Sequence, residues 1–404
     1  MLAMKNIGRE RILVPAALLA FVAFGFYGVL LSYDITIYFD DASALTRGEM
    51  PVRVIAMAYP LFAHLLFAGT YLLSNGTRNS FALSFIALQF LVATAVFGLV
   101  FVFTRGARVS PTRSLQLLSF LIFPLAGLVL GRFDMFPTAA AFAALLCFSR
   151  KEYAASFALL ALGAGLKLFP ALLFPVFAIA YLARRDAASL ARDLLPACLV
   201  AIAYVLLWAG MFSGWGDPFL PIAYNSMRTV QIESTYASAI LPVYLAGLIP
   251  VEVRDIEYAM TLRFPGEPLV SSASMFVLIF AVGIAYATAF RRRGELEGTA
   301  LAACCLFVLL SFVLGSKVFS PQYLLWLAPF TAVVYCGERK MEAMLAIAAA
   351  WLTGAIYPWL YGPLVNLSAF AILLLFARNI LLILLWFSLL AELWRGGRWR
   401  TAKT

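Results

Sequence analysis

Apolar runs of membrane-spanning length recur along this chain from residue 12 to residue 393, and no other feature restricts its fold as severely. Inside hydrocarbon every backbone N–H and C=O must find a protein partner, so such runs fold as helices or close into barrels. A barrel strand crosses in about 10 residues, whereas a helix needs about 20, and most runs here are of the second kind. Of the 404 residues, 64% are hydrophobic and only 12% charged, too little polar surface for a water-soluble domain. The expected fold is an all-α polytopic membrane protein.

Charge in the loops orients the helices. Lys5, Arg9 and Arg11 precede the first run, 12–31, which reads as a retained helix with a cytoplasmic N-terminus and Asp34 outside. The run 55–73 reads as a re-entrant or interfacial pair of short helices broken at Tyr59-Pro60. A full crossing there would strand Arg105, Arg108 and Arg113 on the external side. Crossings then follow at 81–103, 115–130, 135–148, 153–166, 170–182, 194–212, 270–290, 299–314, 321–335, 341–358 and 368–393. That is a bundle of about 12 transmembrane helices with both termini cytoplasmic, several of them short for a bilayer of about 30 Å. An apolar piece, 239–249, is expected to lie on the external surface. No soluble domain or repeat interrupts the pattern, so 1–404 reads as one unit whose loops 32–80 and 213–269 form the external face.

The net charge of +10 does not indicate nucleic acid, because Lys and Arg gather in cytoplasmic loops for topological reasons. The five cysteines (Cys147, Cys198, Cys304, Cys305, Cys336) fall in or beside apolar runs without metal-ligand spacing. A lone histidine, His64, excludes a multi-histidine centre, and no carboxylate cluster has divalent-ion spacing; no metal or cofactor is expected.

Polar residues distant in sequence map to the external side. They are Asp34 and Tyr38, Arg132-Phe-Asp134, Lys167, Arg228 with Gln231-Ile-Glu233-Ser234, and Lys317 with Ser320-Pro-Gln322-Tyr323. A group-transfer reaction there has no ATP and needs an activated donor carried in the lipid, for which a polyprenyl-phosphate sugar is the usual chemistry. It needs a carboxylate to take a hydroxyl proton and cations to hold the departing phosphate. Each residue also has a structural reading. Asp34 is either a base or a helix cap. On a helix Asp41 shares its face and can touch an acceptor, while Asp40 does not; both also suit a solvated face. Arg132 and Asp134 can be an ion pair at a helix hairpin. Lys167 and Lys317 are phosphate ligands or snorkelling anchors. Arg228 is the strongest phosphate candidate, with Glu233 beside it to orient it. Tyr59, His64, Gln231, Gln322 and Tyr323 are supporting or acceptor-side residues. Arg378, in mid-helix, demands a partner or a water-filled cavity. Tyr357, Trp359 and Tyr361 read as an interfacial aromatic belt first and as sugar-stacking groups second.

These motifs carry a family resemblance. Asp34-x-x-x-Tyr38 followed by Gly48-x-x-Pro51 and Tyr59-Pro60 resembles the first external loop of GT-C glycosyltransferases of family 87. Arg132-Phe-Asp134 with Pro137, Lys167-Leu-Phe-Pro170, Arg228-x-x-Gln-Ile-Glu-Ser234 and Ser320-Pro-Gln-Tyr-Leu-Leu-Trp326 extend it. The resemblance implies a GT-C-type bundle in a bacterial plasma membrane, with Asp34 as the catalytic base. It implies an inverting transfer, of mannose in the commonest case, from a polyprenyl phosphate to a glycolipid or lipid-linked glycan, as in phosphatidylinositol mannoside α-1,2-mannosyltransferases. The chain departs at Arg47-Gly-Glu-Met-Pro-Val52, which lacks the usual aromatic after the proline, and in having a single Pro60. Another donor sugar such as arabinofuranose, a lipid-linked glycan flippase, and a non-catalytic scaffold are the other readings.

Overall fold

The computed structural model describes residues 33–49, 58–107, 109–211, 218–256, 259–337 and 339–395, with alternate residues of 21–29. Most of the expected first span, the Met50-Pro51-Val52 motif, Arg108 and the basic C-terminal tail lie outside the described residues.

The chain is helical. α1 (Asp34–Thr46) and α2 (Leu61–Leu72) are followed by α3 (Arg78–Gly106) and α4 (Pro111–Ile122), which continues through a 3-10 turn into α5 (Ala126–Gly131). α6 (Met135–Ser149), α7 (Tyr153–Leu166), a 3-10 turn (Phe169–Leu173) with α8 (Phe174–Leu182), and α9 (Ala187–Met211) complete the first half. The second half runs α10 (Leu220–Met227), α11 (Thr235–Leu245), a hairpin of β1 (Glu252–Ile256) and β2 (Ala259–Arg263), then α12 (Glu267–Arg291) and α13 (Gly298–Gly315). It ends with α14 (Tyr323–Val334), α15 (Lys340–Gly354), α16 (Tyr361–Val365) and α17 (Ala369–Trp394).

Seven helical segments among the described residues are long and apolar enough to cross a membrane: α3, α4 with α5, α9, α12, α13, α15 with its extension to Trp359, and α17. The polytopic all-α class is therefore borne out, and each expected crossing after the first has its helix. α6, α7, the Phe169–Leu182 segment and α14 are shorter than a bilayer needs. α6, α7 and α14 pack among neighbours, and every residue of α14 from Tyr323 to Val334 is buried. Helix α13 is central, touching α12, α14 and α17. By contrast α9 and α12 bury little of themselves and present apolar faces such as Leu199, Ile202, Phe276 and Phe280 outward, as lipid-facing helices do.

Local chemistry sets the helix starts. Thr77, Ser110 and Ser234 accept backbone N–H bonds from Ser80, Arg113 and Ala237, and Pro111 sits in the first turn, where it lacks no needed donor. The Tyr59-Pro60 break is present, with Pro60 extended and α2 beginning at Leu61. Gly354 allows the closest approach in the bundle, since a Cβ there would stand 2.1 Å from the Pro124 carbonyl oxygen.

α11 overlaps the piece 239–249 expected on the external surface; it packs on α17 and buries Ala237, Ser238 and Leu241, while Val243, Leu245 and Leu248 stay exposed. The β1–β2 hairpin has no counterpart in the sequence reading. Its register pairs Glu252 with Arg263 and Ile256 with Ala259, and β2 takes up Val230–Ile232 on its other edge. Ile232 N–H donates to Met260 O at 2.9 Å, and Leu262 N–H to Val230 O at 2.9 Å.

The basic loops assemble at one end. Arg184 bonds Glu297 at 2.8 Å, Arg292 donates to Leu393 O at 3.1 Å, and Arg339 pairs with Glu392. The loops that carry the candidate site residues join at a common cavity.

Candidate active site

A cavity of about 390 Å³ gathers polar groups from segments far apart in sequence. Its wall includes Asp34, Tyr59, Arg132, Lys167, Arg228, Gln231, Glu233, Lys317, Gln322 and Tyr323, all singled out above. Its other side is apolar, with Leu172 from the 3-10 turn, Met275 and Leu278 from α12, and Phe312 from α13.

Asp34 is the first residue of α1, after Tyr33 at the cap position, and is nearly buried. A carboxylate there also faces the positive end of the helix dipole. Arg132, where the chain leaves α5, holds its Oδ1 at 2.5 Å. Arg132 and Asp134 are therefore not each other's partners, as the hairpin reading had them. Asp134 bonds Lys167 Nζ at 2.7 Å and accepts from Trp326 Nε1 at 2.7 Å, behind the cavity wall. The Lys167 ammonium sits 5.0 Å from the Phe133 ring and 5.4 Å from Trp326. Burial lowers its pKa, and Asp134 acts the other way. An ammonium so enclosed is committed to its carboxylate and aromatic neighbours.

Arg228 differs. It lines the cavity, half-buried at the end of α10, and its side chain forms no hydrogen bond or ion pair with the described residues. Lys317 Nζ donates only to the Ser271 hydroxyl, at 2.8 Å. Burial lowers Lys317, with Glu267 the opposing charge. Two cations thus face the cavity without a carboxylate in contact, while the other two are neutralised by Asp34 and Asp134.

Glu233 does not pair with Arg228. It is 1% exposed, and its carboxyl is pushed up to about 7 by burial, against the pull of Arg378, Tyr361 and Arg228. Its Oε2 has no hydrogen-bond partner, and neither has the buried Oε1 of Gln322. Arg378 finds its mid-helix partner in the backbone, donating to Glu233 O at 2.9 Å, with its guanidinium 4.1 Å from the Phe319 ring. Asn379 donates to Glu233 O and Ser234 O. Gln231 exchanges hydrogen bonds with Ser320, and its N–H donates to Lys317 O at 3.0 Å. The Arg228–Glu233 segment is therefore fixed by β2, the Lys317 loop and α17 together.

Tyr59 opens on the cavity, and burial followed by Asp34 pushes its hydroxyl up to about 12, so it remains a donor. Tyr38, His64 and Asp41 do not line the cavity. Tyr38 is fully buried and stacks on Phe67 with centroids 4.3 Å apart. Asp41 is not on a solvated face but pairs with His64 at 2.7 Å, both fully buried. The other imidazole nitrogen lies 3.2 Å from Tyr59 O, so this pair braces the Tyr59-Pro60 break. Asp40 is solvated, beside Arg78.

Sequence reasoning undervalued Tyr357 and Tyr361, which line the cavity, because an aromatic belt has the same local signature. It missed Tyr224, Asn225, Ser226 and Ser274, short polar residues with no distinguishing pattern.

Comparison with curated proteins gives no match. Among solved structures, the chain is similar to ArnT from Cupriavidus metallidurans, whose crystal structure is bound to undecaprenyl phosphate. Identity is 14% and the TM-score 0.48, over 96% of this chain and 78% of that one. The model of glycosyltransferase family 87 matches residues 58–321, well over half of the chain and most of the cavity wall, though not Asp34, Gln322, Tyr323, Tyr357 or Tyr361, so this protein belongs to glycosyltransferase family 87.

Proposed function

We propose that this glycosyltransferase moves a sugar, mannose foremost, from a polyprenyl phosphate to a hydroxyl of a glycolipid or lipid-linked glycan. The reaction takes place on the outer face of a bacterial plasma membrane. Asp34, oriented by Arg132, accepts the proton of the acceptor hydroxyl. That oxygen attacks the anomeric carbon, the bond from this carbon to the phosphate oxygen breaks, and the bonding pair leaves on the phosphate. Attack and departure on opposite sides invert the anomeric centre. Arg228 and Lys317 hold the anion that departs, Arg228 through its planar fork and Lys317 as a point charge. Lys167, already paired with Asp134, supports the wall instead. Gln231, Gln322, Tyr59 and Tyr323 supply hydrogen-bonding groups around the sugars.

The observation that carries this reading is the charge arrangement: a carboxylate and two cations without carboxylate partners open on one cavity. An unpaired guanidinium at the edge of a membrane protein suits an anionic ligand. The apolar flank of Leu172, Met275, Leu278 and Phe312 suits a lipid tail.

The test is incubation of the purified protein with radiolabelled polyprenyl-phosphate mannose and mixed envelope lipids. Label appearing on a second lipid supports the reading. Passage of the labelled lipid across vesicles without transfer would instead make the protein a flippase.

A further inference from the structure

Glu233 is a buried carboxylate for which the protein provides no complete set of partners. Its residue is 1% exposed and it edges the cavity; the Tyr361 side chain reaches its carboxyl, but Oε2 accepts no hydrogen bond. A swing of the backbone does not relieve this. Glu233 O is held by Arg378 and Asn379 of α17, Ser234 caps α11, and Ile232 N–H is bonded to β2. A rigid, desolvated acceptor of this kind is costly unless what enters the cavity completes it.

A ligand O–H or N–H group would complete the Glu233 carboxylate. Arg228, five residues upstream on the same pinned segment, lines the same cavity and acts on the Glu233 carboxyl, so a ligand whose phosphate meets Arg228 has Glu233 within the same cavity. In a polyprenyl-phosphate sugar the group next to the phosphate is the ring, dense in hydroxyls. Tyr361 and Tyr357 line the same wall, with ring centroids 5.2 Å apart, and offer faces against which a sugar ring packs. The acceptor side is marked instead by Asp34 and Arg132.

We propose that Glu233 is the residue that reads the donor sugar, its carboxyl oxygen accepting hydrogen bonds from ring hydroxyls while Arg228 takes the phosphate. This deepens the function proposed above and rests on it.

The experiment measures equilibrium binding of four probes to the full-length protein in nanodiscs. They are polyprenyl phosphate without a sugar and polyprenyl phosphate carrying mannose, glucose or arabinofuranose. The wild type is expected to bind at least one sugar-bearing lipid about tenfold more tightly than the bare lipid. Glu233→Leu, which offers no acceptor oxygen, should bring the two within about twofold while leaving bare-lipid affinity unchanged, which also shows that the variant is folded. Glu233→Asp should recover part of the preference, and Arg228→Ala should weaken all four probes alike. A preference retained in Glu233→Leu overturns the assignment. So does equal weakening of bare and sugar-bearing lipids, the mark of a structural role, or a wild type that binds the bare lipid with no preference for any sugar. A wild type that binds none of the four removes the parent function as well.

Discussion

Asp34 and Glu233 are two carboxylates in one cavity with different surroundings, and their chemistry divides accordingly. Asp34 contacts a guanidinium at 2.5 Å, whereas Glu233 is enclosed and pushed up to about 7. Asp34→Asn keeps the shape and removes the basicity. We expect the rate of transfer to fall by about 10²–10⁴-fold with unchanged donor binding; near-normal turnover would remove Asp34 from the reaction. For Glu233 the sign is set by linkage. Its folded pKa lies above the ordinary 4.5, so between these values the folded state holds the proton more tightly than the unfolded chain. Its contribution to stability is full below about 4.5 and is lost as pH rises through about 7. Arg378 on α17, Tyr361 and Arg228 are the charged and titratable groups that act on it. The thermal midpoint of the ligand-free protein should fall from pH 5 to pH 8, and Glu233→Gln should flatten that fall. An unchanged slope in the variant would place the titration elsewhere. None of these pairings was legible in the sequence. Arg132 and Asp134 are two residues apart, yet each takes a distant partner, because the turn after α5 points them at different helices.

At the level of elements, the hairpin is the device that makes a loop into a site. β2 alternates its hydrogen bonds between β1 and the Val230–Ile232 edge, and Leu262 N–H serves the latter. Leu262→Pro removes that donor, worth about 1 kcal/mol, and with it a buried side chain from the cluster that includes Val230, Ile232 and Leu375, at a further cost of about 2 kcal/mol or more. Donor affinity should fall severalfold as the Arg228 loop loosens, and the thermal midpoint should fall as well. If affinity stays the same, the hairpin does not position Arg228. Gly354→Ala addresses packing between elements. Its Cβ would stand 2.1 Å from Pro124 O, so α15 must move from the α4–α5 turn at a cost of about 1–3 kcal/mol. Thermal unfolding in detergent measures it. The sequence pattern located the helices because burial in lipid is a local, run-length property. It did not reveal the hairpin, since 252–263 is a short mixed stretch whose pairing depends on the loop it meets.

For the molecule as a whole, basic loops cluster at one end through pairs such as Arg184–Glu297 and Arg339–Glu392, as cytoplasmic loops do. Orientation follows as a prediction. A membrane-impermeant maleimide added to intact cells should label Asp255→Cys, in the exposed hairpin, and reach Arg150→Cys only after permeabilisation. The reverse pattern would invert the proposed sidedness. The order of helices, their lengths, and the separation of basic loops from site loops all follow from residues near one another in the chain, because hydropathy and charge act locally on insertion. Which cation meets which carboxylate, and which cations are left for a ligand, depends on contacts between residues far apart in the chain, such as Arg132 with Asp34, and Asp134 with Lys167 and, 192 residues away, Trp326. Such contacts exist only once the helices have packed, so their outcome is a property of the assembled bundle.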